Sequence, residues 1–197
     1  MRKSMVWGAV LVCSMFIAAG NAIAGGTLKL GFDSAGTVNF KDSNGTATTK
    51  DYDVNSGMSL AMEGFGTAGN SVDFGVGIEL QTYREVMMTS GVSGGSFQFV
   101  PIYFLMRLHP EMSDFTPYLA VQAGFAIFNA DDKFKGYNSS VTTAPGGHFA
   151  FGFGAVMNKS FLMELLVSND TGAVQLNGKS VVDVSYTKTT FSIGVNF

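Results

Sequence analysis

Two histidines, His109 and His148, and a scatter of carboxylates are the side chains of this 197-residue sequence with the means to do chemistry. Hydrolysis by a triad needs a nucleophilic hydroxyl, a base beside it and a carboxylate to orient the base. His148 and Glu164 would supply the last two, but Ala150 stands two residues after His148 and Ser160 falls in an expected turn. Neither histidine belongs to a spaced His/Cys cluster of the kind that holds zinc. Asp131-Asp132 and Asp51-Tyr52-Asp53 lack the spacing of a dedicated calcium loop, so no metal and no cofactor is expected. What remains is ionic: Arg107 against Glu63, Glu79, Glu164 and His148. Gathered out of water, such a set must pair, because a lone buried charge costs several kcal/mol. It would be either an internal salt-bridge network or the constriction of a pore.

Whether these residues can meet depends on the elements that carry them, and the chain is written in period two. Leu28, Leu30 and Phe32 alternate with Lys29, Gly31 and Asp33; Met58, Leu60 and Met62 alternate with Ser59, Ala61 and Glu63. Val72 to Leu80 sets apolar even positions against Asp73, Gly75, Gly77 and Glu79. Five further segments end in Leu108, Ile127, Phe153, Val167 and Phe197, which makes eight strands. The parity puts Glu63, Glu79, Arg107, Glu164 and His148 on the less apolar face. That face is otherwise mostly Gly and Ala (Gly75, Gly77, Ala120, Gly124, Gly152, Gly154, Gly194), which would leave space for water. A soluble sandwich would make it polar. Phe65, Phe115, Tyr118 and Phe128 read as aromatic girdle residues at strand ends.

The connections alternate too. Short turns are expected near 66–71, 109–114 and 157–160, and long polar loops near 41–51, 85–95, 129–145 and 169–180. Charged residues are 14% of the chain against about 25% in a usual soluble domain. Yet no apolar run after the first segment could span a bilayer as a helix. An all-β, eight-stranded antiparallel transmembrane β-barrel satisfies both facts, since closure leaves no backbone unpaired in lipid. The first segment has its own pattern: Arg2-Lys3, an apolar run from Val6 to Ala19, then Ala22-Ile23-Ala24. This predicts a cleaved signal peptide over 1–24 and a barrel over 25–197. The lone cysteine, Cys13, would leave with the leader, and losing Arg2 and Lys3 takes the net charge from −3 to −5. An acidic chain without a basic patch excludes nucleic-acid binding as the expected role.

In its signal, its Thr116-Pro117-Tyr118 strand opening and its terminal Phe191-Ser-Ile-Gly-Val-Asn-Phe197, the chain resembles the small eight-stranded outer-membrane barrels of the OmpA/OmpX and opacity-protein type. The resemblance implies residence in the outer membrane among lipid and lipopolysaccharide, with Phe197 read by the barrel-assembly machinery. No peptidoglycan-binding domain is implied. Outer-membrane lipid A deacylases are similar barrels, but they carry a His-x-Ser pair where this chain has His148-x-Ala150. The function expected is therefore a structural or surface-interaction role through four outer loops, as a monomer and not as an enzyme. The alternative is a narrow channel for small solutes; an eight-stranded bore is just wide enough for side chains to fill it.

Overall fold

The computed structural model describes residues 25–42, 50–88, 93–136, 138 and 140–197. The leader predicted over 1–24 lies outside the described residues. Eleven strands make up the rest: β1 Gly25–Asp33, β2 Gly36–Asp42, β3 Lys50–Val54, β4 Gly57–Ala68, β5 Val72–Gln81, β6 Arg84–Met87, β7 Ser93–Leu108, β8 Phe115–Ala130, β9 Val141–Met157, β10 Phe161–Leu176 and β11 Lys179–Asn196. Every pairing is antiparallel, and the ring closes where β1 meets β11 from Thr27↔Asn196 to Asp33↔Thr190. At one end the eight staves are β1, β4, β5, β7, β8, β9, β10 and β11. At the other, β2, β3 and β6 continue β1, β4 and β5 in the same places, so the barrel is eight-stranded at both heights.

Lipid explains the outward face. Leu28, Leu30, Phe32, Leu60, Phe74, Phe104, Leu119, Phe151 and Phe153 are all exposed, in a band around the ring. In water such a band would be a severe aggregation surface; in a bilayer it is the ordinary exterior of a spanning barrel. Among the described residues no helix is long and apolar enough to cross a membrane. Gly25, Phe197 and the tight turns at 69–71, 109–114 and 158–160 share one end, the periplasmic end in this architecture.

At the outer end the strands run further than the sequence predicts. The expected loop over 169–180 is strand almost throughout: β10 continues to Leu176, β11 begins at Lys179, and only Asn177-Gly178 turn the chain. Both have positive φ, 50° and 78°, the requirement of a type I′ hairpin that Asn-Gly meets. The polar outward residues of this stretch had suggested a loop; they belong to strand that has left the apolar band. Residues 85–87 and 93–95, also expected as loop, are strand for the same reason. Among the described residues the outer end thus has a tight hairpin at Asn177-Gly178.

Three interruptions lie side by side at one height: Ser34-Ala35, Asn55-Ser56 and Thr82-Tyr83. Across each, inward positions step by three residues in place of two, from Asp33 to Gly36, from Val54 to Gly57 and from Gln81 to Arg84. A one-residue slip turns the whole following segment over. Val38, Val54 and Val86, which unbroken alternation would send outward, are therefore buried inside. Beside them the β5–β7 ladder stops at Ile78↔Ile102 and resumes on β6 at Arg84↔Phe97, a gap that includes Pro101, which has no amide to donate.

Candidate functional site

The bore holds one connected polar network. At its periplasmic side Lys29 Nζ lies 2.6 Å from Glu63 Oε1 and 2.5 Å from Glu164 Oε1. Arg107 pairs with the second oxygen of Glu63. Tyr103 donates to Glu63 at 2.9 Å, Tyr118 donates to Glu164 at 3.0 Å, and Gln122 reaches Glu63 at 3.3 Å. The chain of contacts then climbs. His148 Nε2 faces Gln122 Oε1 at 3.3 Å, and its Nδ1 lies 2.6 Å from Asp170 Oδ1. Gln81 donates to both Asp170, at 3.1 Å, and Glu79, at 3.0 Å. Lys188 donates to Glu79 at 2.7 Å and to Asp33 at 3.1 Å, and Arg84 closes the network on Asp33. All eight staves contribute. Glu63 is 1% exposed and Arg84 and Asp170 are fully buried, so these charges meet each other and not solvent.

Above Arg84 the bore changes character. Phe97, Phe99, Phe128 and Tyr186 fill it with Val38, Val54, Val86 and Val184. Phe99 stacks on Phe128 at 4.8 Å between centroids, and Phe97 meets Tyr186 edge-on at 5.2 Å. Phe134, from the turn after β8, lies over this layer against Phe97, Phe40 and Phe128, at 5.6 to 5.9 Å. Asp131 fixes that turn: its two carboxylate oxygens accept the amides of Phe134, at 2.7 Å, and Ser96, at 2.9 Å.

Comparison with known proteins adds the fold. No family model matches the chain, and no curated protein matches it. Among solved structures it is similar to the outer membrane protein OprG from Pseudomonas aeruginosa. The identity is 16%, 89% of this chain and 97% of that one are covered, and the TM-score is 0.51. The outer membrane protein AlkL in lipid bilayers gives 14%, 87%, 90% and 0.51 in the same order. This is the outer-membrane β-barrel fold. With its apolar band exposed around that fold, the chain is an integral protein of the outer membrane of Gram-negative bacteria.

Within the barrel, Glu63, Glu79, Arg107, Glu164 and His148 all lie inside the bore. The sequence reading set one arginine against several carboxylates. The structure adds Lys29, Arg84 and Lys188 as cations and Asp33 and Asp170 as anions. Parity held the clue for four of these: Lys29 and Asp33 alternate with the lipid-facing residues of β1, Asp170 shares the parity of Glu164, and Lys188 that of Ser192. Arg84 could not be found that way, because it lies beyond an interruption. The expected girdle is corrected too. Phe115 is exposed, but Tyr118 and Phe128 are buried in the bore and Phe65 lies under Arg107, 5.1 Å from ring centre to guanidinium. On β8 the even positions face inward. At two of the inward glycines a ring takes the space: a Cβ on Gly77 would meet the Tyr103 ring at 2.5 Å, and one on Gly154 the Tyr118 ring at 2.4 Å. The small residues make space that tyrosines fill.

Proposed function

We propose that this barrel is a closed pillar in the outer membrane, with a structural or surface-interaction role carried by its outer end. The observation that carries this reading is the stacked filling of the bore, ionic below Arg84 and aromatic above it, with Phe134 across the top. A solute would have to displace both layers. The polar outward surface of the prolonged strands supports an outer end standing clear of the apolar band, where Asn169 donates to Ser185 at 2.8 Å and to Thr187 at 2.9 Å. Lipid and lipopolysaccharide are the partners of the wall, and the chain acts as a monomer.

His148 has no nucleophile in reach of this role. Its ring nitrogens face Asp170 and Gln122, and its imidazole is buried against Tyr103. We therefore assign no enzymatic activity to it. The same proposal takes residues 1–24 as a cleaved export signal and Phe197 as the assembly signal. Phe197 stands exposed at the closing seam, its backbone paired with Gly26 at 2.8 and 2.9 Å, which suits a residue read before closure.

Planar-bilayer recording on folded protein and an Arg107→Ala variant tests the closed pillar. Silence from both is expected. Discrete conductance in the parent that changes in the variant would replace the pillar with a pore gated at Arg107.

A further inference from the structure

The two histidines stand at different heights of the barrel, yet they share one chemical situation. His148 Nδ1 lies 2.6 Å from Asp170 Oδ1, and its Nε2 lies 3.3 Å from Gln122 Oε1. The amide nitrogen of Gln122 donates to Glu63, so it is the carbonyl oxygen that faces the ring. The second oxygen of Asp170 accepts from Gln81 at 3.1 Å, which leaves this carboxylate no acceptor for a proton of its own. At the periplasmic mouth His109 Nδ1 lies 2.7 Å from the carbonyl oxygen of Pro110, and its Nε2 lies 3.4 Å from Asp73 Oδ2. All four ring nitrogens therefore face acceptors. A neutral imidazole has a single N–H, so one nitrogen of each ring would turn a lone pair toward an oxygen. His109 Nε2 is buried without a hydrogen bond, and only a charged ring makes its contact with Asp73 favourable.

Charge balance leads to the same state. Among the described residues the buried carboxylates are Asp33, Glu63, Asp73, Glu79, Glu164 and Asp170; the buried lysines and arginines are Lys29, Arg84, Arg107 and Lys188. Six anions face four permanent cations, and two imidazolium rings make up the difference. We propose that both histidines are imidazolium cations in the folded barrel and form a pH-sensitive lock on its bore, released as pH rises. Around His148 stand Asp170 on β10 and Tyr103 on β7, its ring 5.2 Å away and its hydroxyl on Glu63. Beyond Asp170 lie Lys188 on β11 and Glu79 on β5, which pair with each other. Around His109 stand Asp73 on β5 and, in the same cavity wall, Tyr118 on β8 and Arg107 on β7, whose charge Glu63 takes up. His148 joins the Glu63 cluster below to Asp170 and Gln81 above. Loss of its proton turns that link into a repulsion and leaves a buried carboxylate uncompensated. Loss of the His109 proton frees the 109–114 turn from the start of β5.

Imidazole 15N spectroscopy of the folded protein in detergent micelles at pH 7.5 tests the charge state. A free histidine is about nine-tenths neutral there, by its ordinary value of about 6.5. The sequence has only two histidines, and each should show two protonated nitrogens, so no assignment is needed. An unprotonated nitrogen in either ring overturns the proposal. Urea unfolding between pH 6 and 9 tests the lock. The unfolded chain releases these protons near pH 6.5 while the folded barrel keeps them, so stability is complete below that pH and falls above it. The unfolding constant should rise by up to about tenfold per pH unit for each histidine, about 100-fold for the pair. His109→Gln should keep half that slope on a logarithmic scale. A flat parent profile overturns the proposal, and the parent measurements decide it even where a variant fails to fold.

Discussion

Below Arg84 the bore of this barrel is a lattice of paired charges; above it the bore is a stack of rings. Both halves are buried, yet they are held in different ways. In the lower half each member is needed by several others. Glu63 alone receives Lys29, Arg107, Tyr103 and Gln122. Removing one partner from a buried pair leaves an uncompensated charge. In the upper half no bond depends on a particular partner, and what matters is volume. A closed pillar can evidently be built either way, but the ionic half fails by loss of a charge and the aromatic half by loss of bulk.

The largest effect should therefore come from Glu63→Ala, which strands Lys29 and Arg107 and should cost about 3–5 kcal/mol in urea unfolding from micelles. A loss below about 1 kcal/mol would mean that water hydrates the network, and the contrast between the halves would dissolve. Phe97→Ala comes next, at about 3 kcal/mol, by transfer and cavity terms. The double variant should show losses that add to within about 0.5 kcal/mol, because the sites share no partner. Strong coupling would show that the halves are one unit.

Gly57→Ala probes the boundary. A Cβ there would overlap the guanidinium of Arg84, so that side chain must move off Asp33, for about 1–3 kcal/mol. Smallest is Asn177→Val at the outer hairpin. A β-branched residue at φ 50° should lose about 1–2 kcal/mol of local stability, seen as faster hydrogen exchange at the ends of β10 and β11 with the bore amides unchanged.

Much of the barrel is legible in the sequence because the bilayer writes on one face of every strand. Leu28, Leu30 and Phe32 on β1, or Phe149, Phe151 and Phe153 on β9, declare their outward side by alternation alone, and Lys29 and Asp33 follow by parity. Legibility ends where the exterior stops being apolar. Above the band, 169–176 and 179–180 read as loop because polar residues face water on one side, although Asn177-Gly178 marked the hairpin. Reading aromatic residues at strand ends as a girdle failed at Tyr118 and Phe128 because position along a strand was weighed above parity.

By itself the sequence determined the strand count, the lipid-facing set and the position of most inward charges. These follow from a local period of two imposed by an apolar solvent. Tertiary structure alone decided the three adjacent interruptions. They reverse the alternation and carry Arg84 and the valines inward, and a one-residue slip leaves no mark on composition. It also decided who pairs with whom. Lys188 meets Asp33 across 155 positions of chain, and Lys29 meets Glu164 across 135. Such pairs exist only once the ring closes and its stagger brings those heights together.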